Sequence, residues 1–169
     1  MKNKGIVALY SLICNIPVST CLCLASSIIG VSSISDGNLT ISFSLINWGI
    51  FGINVAIGLT LAMIVGVFVP LTMIGRWFTG LFHVKNDTYK GNMPYRLLGT
   101  LIISVIYYFG ITPTLSIINY FLFKTFSNMG EMFLNMLIAF PIMLLVGFIS
   151  SLISDIFAYK VAHKIDPNF

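Results

Sequence analysis

Four long apolar runs alternate with three polar stretches along this chain. The runs cover residues 5–30, 47–75, 97–123 and 132–157, and the polar stretches cover 31–46, 76–96 and 124–131. Each run is long enough, at about 1.5 Å per helical residue, to cross the ~30 Å hydrocarbon core of a bilayer. The pattern predicts an all-α, integral-membrane four-helix bundle in a single domain, with helices over about 6–30, 47–75, 97–123 and 132–157. Lys2 and Lys4 precede the first run, as in a secretory signal peptide. At about 25 residues the run exceeds the ~7–15 of a signal core, so it reads as a span. Val18-Ser19-Thr20-Cys21 has the outline of a lipoprotein cleavage box, although Thr20 fits poorly before the cysteine. Residues 31–46 are Ser-rich, lack Lys and Arg, and hold the turn signal Asp36-Gly37-Asn38, which predicts an extramembranous loop with a short interfacial turn. Pro70, near the far end of the second run, predicts a kink or an early stop because proline removes a backbone donor.

Composition agrees with this pattern. The 169 residues are 57% hydrophobic and only 8% charged, with a mean hydropathy of +0.98. About a quarter of a soluble protein's residues are charged, so the solvent for this chain is a lipid bilayer. A net charge of +4 and a pI near 9.1 would suggest a polyanion in a soluble protein. Here the basic residues are few and flank apolar runs, so topology accounts for them and no nucleic-acid partner is expected. In a four-span chain Lys2, Lys4, Arg76, Lys85, Lys90, Arg96, Lys160 and Lys164 share one side, and only Lys124 lies on the other. Basic flanks stay in the cytoplasm, which predicts a multi-pass membrane protein with both termini and the central loop inside. Trp48, Trp77, Tyr95, Tyr120 and Tyr159 fall near predicted helix ends, where amphipathic rings favour the headgroup zone. Within the central stretch, Arg76, Trp77, Lys85, Lys90 and Arg96 read as an interfacial anchor, with a docking site for a cytoplasmic partner as the alternative.

The two halves invite comparison. Setting Ile53-Asn54 against Leu134-Asn135 also pairs Ile57 with Ile138, Gly58 with Ala139, Val65-Gly66 with Val146-Gly147 and Leu71 with Leu152. Ser11-Leu12-Ile13 likewise matches Ser104-Val105-Ile106, and Val18-Ser19 matches Ile111-Thr112. Two parallel repeats over about 1–84 and 95–164, related by an axis along the membrane normal, are expected. This duplicated plan, with Ala139-Phe140-Pro141 and with Pro70-Leu71 followed by Arg76, resembles the bacterial membrane family called domain of unknown function 2798 over most of residues 5–164. Ser151 and Asp155 stand where that family carries basic residues after a Pro-Leu step. The resemblance implies a membrane location and no assigned chemistry.

Helices associate in lipid where small residues let backbones approach. Gly58, Ala62 and Gly66 recur every four residues in the second run, and Ala139, Gly147 and Ser151 share a face of the fourth. These are expected packing seams, used inside the bundle or against a homodimer partner or another membrane subunit. Asn15, Asn54, Asn119 and Asn135 are candidate interhelical hydrogen-bonding groups, each contributing roughly 0.6–2 kcal/mol, or the polar lining of a solute path. Asp155 is the one acidic residue inside a predicted span. It is a candidate proton or cation site, or it reaches the interface or pairs with Arg76 or Arg96. Gly110, Pro113 and Pro141, with Pro70, are candidate helix breaks of the kind that mark transporter sites. Cys21 and Cys23 lie about 200° apart on a helix and cannot share a metal, and His83 and His163 sit in the flanks. No cofactor, metal or catalytic grouping is expected. Two functions follow: a non-catalytic membrane protein acting through helix assembly, or a small-solute or ion transporter built from two hairpins. The scarcity of ionisable groups within the spans favours the first, and a membrane enzyme comes third.

Overall fold

A computed structural model describes residues 4–30, 32–35, 38–84 and 93–166. Its elements in chain order are α1 (Lys4–Gly30), β1 (Ser32–Ser35), β2 (Asn38–Ile41), a 3-10 turn (Phe43–Leu45), α2 (Trp48–Phe68), α3 (Leu71–Leu81), α4 (Met93–Phe123) and α5 (Met129–Ile165). Among the described residues, α1, α2, α4 and α5 are long and apolar enough to cross a bilayer. Their outward surfaces are apolar, with Ile64, Phe109, Phe121, Leu137, Leu145 and Ile153 all exposed. Lipid is the only solvent that suits such a surface, and the chain is an all-α four-helix membrane bundle.

Local chemistry sets the helix ends. Asn47 caps α2, its side chain accepting from the backbone N–H groups of Gly49 and Ile50 at 3.1 Å. At α5, Asn128 accepts from the Glu131 N–H at 2.8 Å while the Glu131 carboxylate accepts from the Ser127 N–H at 2.8 Å, a reciprocal capping arrangement. Lys124 adopts a left-handed backbone (φ 50°) just past α4. His83 does the same (φ 54°) past α3, whose end closes with Val84 N–H to Thr79 O and His83 N–H to Gly80 O.

The boundaries differ from the sequence expectation where proline and charge intervene. The run 47–75 is not one helix: α2 ends at Phe68, Val69 is extended, and Pro70 stands at the N-cap of a separate α3. Met73, Trp77 and Leu81, four residues apart, form an exposed apolar stripe, while Gly75 and Thr79 are buried on the face that packs along α4. The fourth helix runs past 157 to Ile165, at about 55 Å longer than the hydrocarbon core, so its last turns with Lys160, His163 and Lys164 project beyond it. The loop expected over 31–46 contains an antiparallel hairpin with Ser32 opposite Ile41 and Ser35 opposite Asn38. Asp36 and Gly37 themselves lie outside the described residues.

Gly110, Pro113 and Pro141 do not break their helices. Both α4 and α5 continue through these positions. A proline inside a helix forfeits one backbone bond, and neighbouring side chains in a bundle can re-satisfy the freed groups. Gly110 serves close approach instead: a Cβ there would lie 3.4 Å from Cγ2 of Val65 on α2.

The spans form a ring. α1 packs against α2 and α5, and α4 packs against α5 on one side and α2 and α3 on the other. Tyr108, Ala139 and Met143 centre the apolar core, with Leu22, Ala25, Ile29 and Phe140 against them. The Tyr108 hydroxyl donates to the Met136 carbonyl at 2.6 Å, and its ring meets Phe140 edge-on at 4.9 Å. The small residues act within this ring. A Cβ on Gly147 would lie 3.4 Å from Leu22, and one on Gly58 would lie 3.7 Å from Cys23.

Candidate functional site: a polar interior between the four spans

Two helices turn polar rows inward. On α1, Ser11, Asn15, Ser19 and Cys23 recur every four residues, and the last three are buried. On α4 the row Arg96, Thr100, Ser104, Tyr107, Thr112, Ser116 and Asn119 winds along the helix at spacings of three to five. A four-residue repeat drifts slowly round an α-helix, so each row stays against its neighbours as the helices cross.

At one end the rows meet a charge pair. Arg96 Nη2 lies 2.7 Å from Asp155 Oδ2, and the Tyr10 hydroxyl donates to the other carboxylate oxygen. The side chains of Arg96 and Asp155 are 20% and 14% exposed, so the pair is largely withdrawn from its surroundings. Arg96, expected as an interfacial anchor or as a partner of Asp155, is placed here in the second of these settings. The contact also gathers the start of α1, the start of α4 and the last third of α5 at one end of the bundle. Asn15, buried one turn further in on α1, extends the polar groups inward. The Asn15 amide nitrogen reaches Ser11 Oγ at 3.3 Å and Met63 Sδ at 3.7 Å.

Beyond the pair the interior narrows and then opens. A neck of about 10 Å³ is lined by Ser104, Ser151, Tyr107 and Gly147, with Val18, Leu22, Tyr108 and Met143 closing it. Such a space holds about one water molecule. A larger cavity of about 90 Å³, which shares Val18, Leu22, Tyr107 and Met143 with this neck, is bounded by all four spans and by Phe126 of the α4–α5 link. Asn15, Ser19, Ser26, Tyr107, Thr112, Ser116, Asn119 and Asn135 give that cavity its polar lining, and Gly58, Ala62 and Ala139 make room for it. From Tyr107 to Asn119 along α4 it extends about 18 Å, more than half the thickness of the hydrocarbon core. Oδ1 of Asn119 and Oγ of Ser104 are buried without a hydrogen-bond partner among the described residues.

The structure thus joins Asn15, Asn119 and Asn135 in one cavity, whereas Asp155 lines neither space and lies one turn of α5 beyond Ser151 of the neck. Asn54 is left out: its Oδ1 is buried without a partner among the described residues, and the residue lines neither space. Gly147 and Ser151 turn to the neck, and Gly66 lets α2 approach Tyr107, whose hydroxyl would lie 3.4 Å from an added Cβ. Arg76 and Trp77 are exposed on α3, while Lys85 and Lys90 lie outside the described residues. Tyr10, Ser19, Ser104, Tyr107, Thr112 and Ser116 are not among the candidate polar residues taken from the sequence. Their signal is the four-residue polar period within runs whose overall hydropathy masks it. No group of three or more metal-ligating side chains occurs among the described residues. No family model matches the chain, and no match to a curated protein or a solved structure is found.

Proposed function

We propose that this chain is a small multi-pass transporter of a bacterial cytoplasmic membrane, non-catalytic, that passes a small polar solute between its two helical hairpins. The polar cavity carries the reading: Asn15, Asn119 and Asn135, from three different spans, converge on one space inside a bundle that otherwise presents hydrocarbon to lipid. Uncompensated polar groups at membrane depth are costly and mark solute paths more readily than they serve as packing. The Arg96–Asp155–Tyr10 cluster forms the closed end of this path, and the neck at Ser104 and Ser151 is its constriction. The positive-inside rule puts the closed end in the cytoplasm, where Arg76, Lys160 and Lys164 also lie, and turns the wider cavity outward. The ring of contacts, in which α1 meets α2 and α5 as α4 meets α5 and the α2–α3 pair, supports a two-fold relation between the halves. Assembly through the small-residue seams is the weaker reading, because Gly58, Ala62, Ala139 and Gly147 are occupied inside the bundle.

Purified protein in proteoliposomes, challenged with a panel of small charged and uncharged solutes, tests the proposal. At least one solute is expected to equilibrate faster than in protein-free vesicles, at a rate altered by Arg96→Leu. Equal rates across the whole panel would contradict it.

A further inference from the structure

We infer that the cavity selects a small uncharged solute able to donate hydrogen bonds, an amide or a polyol, and excludes ions. This rests on the transport reading and adds to it the class of solute. The residues around the cavity include no charged side chain. An ion entering it would leave its hydration shell for a site with nothing of opposite sign to replace it, and that loss is prohibitive at membrane depth. Helix dipoles do not supply the missing charge. The N-termini of α2 and α5 and the C-termini of α1 and α4 share the end of the bundle away from Arg96 and Asp155, so their partial charges oppose one another. Among the described residues, the charged side chains nearest the neck are Arg96 and Asp155, which neutralise each other.

The polar groups also state what the solute must offer. Asn119 Oδ1 is an acceptor, buried and without a partner among the described residues, so a solute satisfies it with an N–H or O–H. The amide nitrogen of Asn15 is engaged by Ser11 and Met63, which directs that residue's donor away from the solute. The hydroxyls of Ser19, Thr112 and Ser116 both donate and accept, so they suit an amide or a polyol equally. A space of about 90 Å³ takes a molecule of a few heavy atoms, which sheds its water on entering; the neck, near the size of one water, has to widen for the solute to pass. Dehydration is tolerable for a neutral molecule whose hydrogen bonds the lining replaces.

The test uses the full chain in vesicles of phosphatidylcholine and phosphatidylglycerol, with urea and glycerol as neutral probes and K⁺ and Cl⁻ as ionic ones. Osmotic re-swelling by urea or glycerol is expected to run roughly tenfold faster than in protein-free vesicles, with K⁺ and Cl⁻ entry unchanged. Asn119→Leu, close in size, and Thr112→Val, close in shape, are each expected to remove most of that gain. If Asn119→Leu fails to fold, Thr112→Val carries the test alone. Faster ion entry with neutral solutes at the control rate would overturn the inference while leaving transport standing. No acceleration of any probe would overturn both, as would wild-type urea and glycerol rates in a folded Thr112→Val protein overturn this cavity as the route.

Discussion

Asp155 shows how a single residue's setting changes its meaning. A carboxylate near the end of a span can bind a cation, carry a proton or hold a partner, and here it accepts from Tyr10 on one oxygen while Arg96 takes the other. Removing one member leaves the other charged and largely desolvated. Arg96→Leu is therefore expected to lower the stability of the detergent-solubilised protein by about 1–3 kcal/mol, allowing for the pair's partial exposure. Adding Asp155→Leu should restore part of that loss, and thermal melts of the single and double variants measure the coupling. Close packing sets a second test at this scale. Gly147→Leu drives atoms into Leu22 and is expected to cost about 1–3 kcal/mol, whereas Gly147→Ala, with its Cβ at contact distance, is expected to melt near wild type. Asp155 was legible in the sequence as an acidic residue among lipids, with Arg76 or Arg96 as its partners. The choice of Arg96 was not, because it depends on α4 passing beside α5 while α3 turns Arg76 outward.

At the scale of elements, apolar runs predict where helices lie better than where they end. The residues 71–75 read as the tail of a span because they are as hydrophobic as the rest of it. Pro70 interrupts the hydrogen-bond ladder there, and the exposed stripe Met73, Trp77, Leu81 suits α3 to a place along the interface. The sequence holds two tryptophans, so Trp48→Phe leaves Trp77 as the sole indole. Its fluorescence should be quenched most by lipids brominated high on the acyl chain. Strongest quenching by bromines near the bilayer centre would mean that α3 continues the span. Gly110, Pro113 and Pro141 mislead in the opposite sense, since residues that break helices in water are carried within helices whose neighbours satisfy the backbone. The inward rows were visible in the sequence as Ser11, Asn15, Ser19 and Cys23. Identifying them needs polarity read at the helical period rather than averaged over the run.

For the whole molecule, the sequence carries the number of spans and the asymmetry of basic flanks, because both follow from bilayer thickness and charge alone. The interior cavity depends on how four helices cross and on which face each turns inward, so neither its size nor its membership could be read from the chain. Reporter fusions after residue 88 and at the C-terminus are expected to report the same compartment, and a fusion at residue 35 the opposite one. The central claim concerns the interior: a polar, wetted space lies between the spans, open away from the Arg96–Asp155 end. The native cysteines probe it directly, because Cys23 lines the cavity and Cys21 is exposed on the outer surface of α1. Two single-cysteine proteins, one keeping Cys23 and one keeping Cys21, are treated in membranes with a small water-soluble methanethiosulfonate from the side of residues 124–128. The account predicts that Cys23 is modified while Cys21, facing lipid, is spared; a Cys23 thiol as inert as Cys21 would contradict it.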